Sequence, residues 1–509
     1  MGSKLNYKRT FFVGLAFLSI SAFWQMYDNI IPLMLSNTFG LGETVTGVLM
    51  AMDNVLALIL LPVFGSLSDK VNTPLGKRTP FILTGTVLAV VFMLLLPFAD
   101  RRQSLVLFLA ALFATLLSMG LYRSPAVALM PDLTPNHLRS RANAVINLMG
   151  AVGGVYALIM IKLLVGAGDR PDYAPLFASV AALMVVAVGI LLITIRENKL
   201  RREIEEAERE TGVQAAAPES EEGGKSVAEG GAGGNAASRT EKESGTGTVK
   251  GADDNAASAE GSGASKGSNA ASAEGSGASK GSSAASAESS GASKGSSAAS
   301  VRKTILPRDV KRSMIFLLLS IFFWFTAYNA VTTAFSRYTR VVWKMEGGSF
   351  ANCLMVATVA AIVSYIPIGN ISARFGRKKT ILGGILIMAV CYLAAVFVGA
   401  YHPVINIAFA LIGVGWAAIN VNSYPMIVAM SQGSDIGKFT GTYYTFSMAA
   451  QIFTPVFSGF LLENVSYRTL FPYALFFALA SFCTMTQVRH GDVKPVKRKS
   501  LLENFDVED

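Results

Sequence analysis

The stretch Gly65-Ser66-Leu67-Ser68-Asp69-Lys70-Val71-Asn72-Thr73-Pro74-Leu75-Gly76-Lys77-Arg78-Thr79-Pro80-Phe81-Ile82 is a short charged loop held between two long apolar runs, with an acid and several bases inside it. Glycine near each end lets two membrane-spanning helices approach closely on one side of a bilayer. A fainter copy recurs at Gly369–Thr380, where Arg374, Gly376, Arg377, Lys378 and Lys379 repeat the glycine and the positive charges. The pairing divides the chain into two related halves.

Composition agrees. Of 509 residues, 52% are hydrophobic and 15% charged, against about 25% charged in ordinary soluble domains, and the mean hydropathy is +0.45. A spanning helix needs about 20 mainly apolar residues. The chain offers six candidates at Thr10–Leu35, Thr44–Leu67, Pro80–Phe98, Ser104–Met130, Ser140–Gly166 and Ala174–Ile195. Six more follow at Ser313–Val341, Phe350–Ile371, Lys379–Ala400, Pro403–Met430, Gly437–Leu462 and Thr469–Val488. The apolar run after Lys4, Lys8 and Arg9 is too long for the core of a cleavable signal, so the first span is expected to stay in the bilayer.

Lys and Arg crowd the loops on one side, at Lys70, Lys77, Arg78, Arg139, Arg374, Arg377, Lys378, Lys379 and Lys438, and thin out on the other. The positive-inside rule therefore puts both termini and the middle segment in the cytoplasm, with the protein in the cytoplasmic (plasma) membrane. The net charge of +10 is explained by this topology, and no nucleic acid is expected as a partner. Cys353, Cys391 and Cys483 sit inside apolar runs without metal-ligand spacing, so neither a disulfide nor a metal site is expected.

Between residues 199 and 306 bulky apolar residues almost vanish, and Ala257–Glu260, Ala271–Glu274 and Ala285–Glu288 form a tandem repeat with Lys266, Lys280 and Lys294. The repeats have no apolar face to stack, so the composition implies a disordered cytoplasmic linker. Glu197–Glu210 is charged and could extend the sixth helix. The expected organisation is an all-α polytopic membrane protein: a six-helix bundle at 1–198, a linker at 199–306, a second six-helix bundle at 307–490 and a tail at 491–509.

Two six-helix halves joined by a long connection resemble the major facilitator superfamily of transporters. Ser68-Asp69-Lys70 with Gly76-Lys77-Arg78-Thr79-Pro80-Phe81-Ile82 is similar to the loop motif of the plant sucrose–proton symporters and their bacterial relatives, within the glycoside–pentoside–hexuronide:cation symporter group. The resemblance extends to Arg123-Ser124-Pro125 with Pro131-Asp132-Leu133-Thr134-Pro135, and to Gly437-Lys438-Phe439-Thr440-Gly441-Thr442-Tyr443-Tyr444. It implies alternating access and a proton-coupled sugar symporter acting as a monomer. The second-helix carboxylate pair of the sodium-coupled melibiose carriers is not reproduced, since Leu61-Pro62 stands there; that favours protons over sodium.

An ionisable residue at bilayer depth marks function or a satisfied pair. Ser21, Gln25 and Asp28 share one helical face, with Trp24, Tyr27 and Asn29 beside it. Asp28 either serves the transport path or makes a helix–helix hydrogen bond. Asp53, about 9 residues into the second span, is a second proton-coupling candidate or a packing aspartate. Arg123 is the candidate positive partner; its alternatives are snorkelling to the headgroups or pairing with Asp132 or Asp69. Lys162 reads as a snorkelling lysine.

In the second half the polar and aromatic residues are Trp324, Tyr328 and Asn329, then Trp416, Asn420 and Ser423, then Tyr444, Ser447 and Gln451. Amide and hydroxyl groups beside aromatic faces suit a neutral polyhydroxylated ligand, or act as interhelical glue. Trp24, Gln25, Tyr27, Asn29 and Asn147 are the first-half counterparts. Asn143, Asn147, Gly150 and Gly154 also read as close helix packing. Gly65, Asp69, Gly76, Lys77, Arg78 and Asp132, with Arg374, Gly376, Arg377 and Lys378, are expected to form a cytoplasmic gate making contacts between the halves. His137, His402 and His490 lie in loops or at span ends, so no buried histidine relay is expected, and no P-loop or hydrolase motif supports an enzyme. The rival readings are an exporter of amphipathic compounds on the same fold and a transporter-like sensor or scaffold.

Overall fold

The computed structural model describes residues 5–135, 138–168, 170–204, 206, 307–430 and 436–492. Twelve helices among them are long and apolar enough to cross a membrane. The first half holds α1 (Tyr7–Asn37), α2 (Glu43–Lys70), α3 (Thr79–Arg101), α4 (Leu105–Asp132), α5 (Arg139–Leu164) and α6 (Ala174–Thr194). The second holds α7 (Arg308–Val341), α8 (Ala351–Phe375), α9 (Arg377–Val396), α10 (Ile405–Met430), α11 (Ile436–Asn464) and α12 (Leu470–Thr486). Each corresponds to one expected span, with ends shifted by up to about a turn. The largest extension is at α7, which starts at Arg308 because Arg308, Asp309 and Lys311 add a charged turn before the apolar run.

The two halves repeat one another. In the first, α1 packs on α5 and α6, α3 on α4 and α6, and α2 on α4; in the second, α7 packs on α11 and α12, α9 on α10 and α12, and α8 on α10. Between them, α2 packs on α11, and the equivalent pair α8 and α5 meet, with α1 against α7. α1 and α7 are the most enclosed of the twelve. Helices α3 and α6 show many large apolar side chains on the outside, such as Val87, Val91, Val185 and Ile193, as a lipid-facing surface requires.

Local sequence explains the ends. Asn6 caps α1 by accepting from the Arg9 amide at 3.1 Å, Ser104 opens α4, and Pro80 stands in the first turn of α3. The α1–α5 contact is close because a side chain at Gly153 would overlap the Leu18 carbonyl. Gly154 lies over Gln25.

α6 stops at Thr194. Residues 197–204 form a separate short helix, with Leu200 and Ile204 against the core. Residues 199–204 are thus helical where composition assigned them to the linker, because those two apolar side chains find a surface to cover. Residues 205 and 207–306, the tail beyond residue 492, His137, and the side chains of Gly437 and Lys438 lie outside the described residues.

Candidate functional site

At the junction of the halves, Asp28 from α1 and Met50, Asp53 and Asn54 from α2 face Asn329 and Thr333 from α7 and Gln451 and Pro455 from α11 around a cavity of about 20 Å³. That is room for about one water. Asp28 is 8% exposed and Asp53 5%. The Asp53 Oδ1 accepts from the Asn54 amide at 2.5 Å and from Asn54 Nδ2 at 2.7 Å. Arg123 lies within electrostatic reach of both Asp53 and Asp28, and its guanidinium stands 5.7 Å over the Trp24 ring. Both carboxylates and the cation predicted for α4 are therefore brought together, next to the second half.

Two aromatic groups involve α1 and α7, which meet between the halves. Trp24 makes edge contacts with Phe23 and Tyr27. In the second half Tyr328 stacks on Trp416 with centroids 3.9 Å apart and planes 8° from parallel, and Phe325 meets Trp416 edge-on. Tyr444 belongs to a cluster with Tyr424 and Tyr443 between α10 and α11.

Several buried polar atoms here lack a protein partner among the described residues: Trp24 Nε1, both side-chain ends of Gln25, Tyr27 Oη, both ends of Asn329, and Trp416 Nε1. Buried polar groups are normally satisfied by protein or water, so these atoms are left to water or to a bound molecule. Other candidates are engaged locally. Asn29 donates to the Gln25 carbonyl at 2.9 Å, Asn420 bonds Tyr365 of α8, and Asn147 is buried on α5. Trp324 is a fully buried core side chain, 1% exposed. Asn54 and Thr333 line the cavity although their sequence context did not single them out; spacing from Asp53 and Asn329 was the available signal.

The loop residues form a different structure. The Arg78 guanidinium bonds Asp69, Ser68, Asp132 (2.8 Å) and the Gly65 carbonyl (3.3 Å). All of these lie in the first half. Glu197, 1% exposed, accepts from the backbone amides of Lys77 (2.7 Å), Arg78 (3.0 Å) and Thr79 (2.9 Å) and from the Thr79 hydroxyl (2.8 Å). It thereby caps α3, while Gly76 turns beneath it at φ 128°. The second half copies the device: Gly376 at φ 96° precedes Lys378, whose amide donates to Asp492 at 3.0 Å and whose Nζ donates to the Thr486 and Val488 carbonyls. Arg377 donates to the Pro425 carbonyl at 3.2 Å, and Arg374 lies over Phe375. The expected contacts between halves give way here to contacts within each half, because an acid following each half's sixth helix staples its own loop. Glu197 and Asp492 looked like linker and tail charges in the sequence.

Contacts between the halves cluster at the end away from these loops. Arg337 of α7 donates from Nε to Glu43 of α2 at 2.6 Å, both buried. Tyr467 donates to the other Glu43 oxygen at 2.5 Å. Glu463 accepts from the Thr44 amide at 2.8 Å, and the Gly348 amide donates to the Val165 carbonyl at 3.1 Å. Glu43 and Arg337 sit close to span ends, and nothing in their sequence spacing pairs them.

Comparisons with known proteins agree with this architecture. A family model described as Major Facilitator Superfamily matches residues 13–363 and 317–504. The chain is 28% identical over 137 residues to a sucrose transport protein of Oryza sativa subsp. indica, covering 23% of this chain and 27% of that one. It is 29% identical over 115 residues to a chloramphenicol resistance protein of Acinetobacter baumannii, covering 23% of this chain and 28% of that one. The similar stretches thus span little more than a quarter of either relative. Among solved structures, a nucleoside transporter aligns with a TM-score of 0.59 at 10% identity, over 95% of this chain and 100% of its own.

Proposed function

This chain belongs to the Major Facilitator Superfamily, and from that premise we propose that it is a proton-coupled symporter of a neutral, hydroxyl-rich solute, most simply a disaccharide or glycoside. The observation that carries the reading is the set of buried amides and indole donors without a protein partner among the described residues, Gln25 and Trp24 in the first half and Asn329 and Trp416 in the second, of which Asn329 lines the cavity with Asp28 and Asp53. A sugar presents many donors and acceptors and an apolar ring face. The Tyr328–Trp416 stack is the natural platform for that face, and the local similarity to a sucrose transport protein points the same way.

In this reading the loops with Arg78 and Lys378 face the cytoplasm, following the excess of Lys and Arg there, and the protein works as a monomer in the plasma membrane. The midplane cavity opens alternately to each side by rocking of the halves. Asp53 or Asp28 takes up the coupling proton, and Arg123 competes with that proton for the same carboxylates. Mass action then links the steps: a carboxylate that holds a proton releases Arg123, and the freed cavity accepts solute. No metal or organic cofactor enters the cycle.

The similarity to a chloramphenicol resistance protein favours one alternative, export of an amphipathic compound. The two differ in direction and ligand. Uptake of labelled sucrose and maltose is measured in proteoliposomes under an imposed inward pH gradient, with Asp28→Asn and Asp53→Asn beside the unmodified protein. Accumulation above the equilibrium level is expected, lost in one variant while solute exchange persists. No accumulation of either sugar, together with proton-driven movement of chloramphenicol, would sink the sugar reading in favour of export.

A further inference from the structure

Asn54 sits where the two carboxylates meet the second half. It is 5% exposed and shares the cavity with Asp28 and Asp53 from its own half and with Asn329, Thr333 and Gln451 from the other. Its backbone amide and its Nδ2 both donate to Asp53 Oδ1, at 2.5 and 2.7 Å. Consecutive side chains on a helix do not ordinarily face each other, so the Asn54 side chain folds back along its own helix to make this contact. Charge holds it there, because a hydrogen bond to an ionised group is about twice as strong as a neutral one. The other end of the amide is left over: Asn54 Oδ1 is buried and has no protein partner among the described residues.

The ionisable groups around this contact are few. Asp28 and Tyr27 of α1 and Arg123 of α4 lie within electrostatic reach. From α7 and α11 the cavity receives Asn329, Thr333, Gln451 and Pro455, none of them ionisable. A carboxylate only accepts hydrogen bonds, whereas a side-chain amide carries both donors and acceptors. With Asp53 ionised, a donor of Asn54 is committed to it and the amide offers the cavity its acceptor, Oδ1. With a proton on Asp53 the charge is gone, the contact falls to the strength of a neutral bond, and Nδ2 is released beside Oδ1. A released amide presents a donor and an acceptor side by side, which matches two neighbouring hydroxyls of a polyol.

We propose that Asn54 couples the proton to the solute: its amide is held by ionised Asp53 and passes to a pair of adjacent solute hydroxyls when Asp53 is protonated. The inference rests on the proton-coupled reading above, and it selects Asp53 over Asp28 as the carboxylate whose charge the solute senses. Asn54 binds no proton itself. It carries the state of Asp53 across the cavity toward Asn329 and Gln451, so that solute and proton favour each other's binding. One additional neutral hydrogen bond is worth up to about tenfold in affinity.

Two measurements test this, the first without a solute. Infrared difference spectra between alkaline and acid pH are recorded on the full chain in proteoliposomes, with isotope-labelled asparagine. Acidification is expected to produce a carboxyl band that vanishes in Asp53→Asn, together with a shift of an asparagine side-chain band that is lost in both Asp53→Asn and Asn54→Leu. An Asp53 carboxyl band without that amide shift, an amide shift that survives Asn54→Leu, or no Asp53 band at all would overturn the inference. In the second, the half-saturating concentration for sucrose exchange is compared at the same two pH values. It is expected to be about tenfold lower at acid pH in the parent, and in Asn54→Leu to be high at both and to differ by less than about twofold. An Asn54→Leu protein that keeps the parent's difference would overturn the inference as well. If Asn54→Leu does not elute as a single species, Asn54→Ser takes its place with the same expectations. A parent that moves no sugar sinks the sugar reading, while the solute-free spectra still decide whether Asn54 answers to Asp53. A parent that accumulates sugar without an amide response keeps that reading and removes Asn54 from it.

Discussion

Trp416 is nearly fully buried, stacked on Tyr328, and its indole N–H has no protein partner among the described residues. Those properties together suit a wall that contributes both a face and a donor to a ligand. Aromatic contacts are worth about 0.5–1.5 kcal/mol beyond area burial, and about 1.4 kcal/mol is tenfold in binding. Trp416→Ala is therefore expected to raise the half-saturating solute concentration about tenfold with a smaller change in maximal rate. Concentration-dependent uptake checks this. An equal loss of rate at all concentrations would assign Trp416 to packing instead. Asp28 and Asp53 were legible as candidates because a carboxylate inside an apolar run is conspicuous. Their sharing one cavity was not, since α1 and α2 approach there only through the packing of four helices from both halves.

At the scale of elements, the caps and close approaches decide how helices sit. Glu197 satisfies three backbone amides and one hydroxyl at the start of α3. Loss of a capping side chain costs about 1–2 kcal/mol, and leaving buried donors unpaired costs more. Glu197→Ala is expected to lower the thermal midpoint of the detergent-solubilised protein by several degrees, with Glu197→Gln intermediate, as followed by fluorescence-detected size exclusion. An unchanged midpoint would show that water replaces the carboxylate at no cost. Gly153→Leu is expected to abolish the folded species, because the side chain would have to occupy the Leu18 carbonyl's place and part α1 from α5. A normal yield of monodisperse Gly153→Leu would contradict that contact. The sequence pointed to small residues on α5 at Gly150 and Gly154, whereas the close approach falls on Gly153; helix rotation about its own axis is set by the neighbours, not by the spacing alone.

At the scale of the whole molecule, the main helix pairings within the first half have counterparts six helices later, and the α2–α11 contact is mirrored by α8–α5. The two interfaces are built alike: Gly47 and Gly459 abut backbone in the first, Gly348 abuts the Ile161 carbonyl in the second. In the symporter reading proposed above, the chain between residues 207 and 306 serves only as a connection. Replacing those residues with a Gly/Ser tether of similar length is expected to leave solute uptake within about twofold, because flexible tethers of that length scarcely restrict their ends. Loss of transport with intact folding would favour the sensor or scaffold reading, in which the middle of the chain recruits a partner.

The sequence by itself determined the membrane class, the six-plus-six division and the helix ends to about a turn, because apolar length and charged loops are local properties that a bilayer enforces. It also exposed the buried carboxylates and the two glycine-bearing loops. Only the tertiary structure decided which charges meet. Arg78 is held by Asp69 and Asp132 within its own half, Glu197 turns back onto α3 from what looked like a linker, and Glu43 finds Arg337 from 294 residues away. Such pairings depend on the rotation and depth at which helices pack. Those are set by glycine contacts and by the fit of whole helix faces, which no stretch of sequence contains on its own.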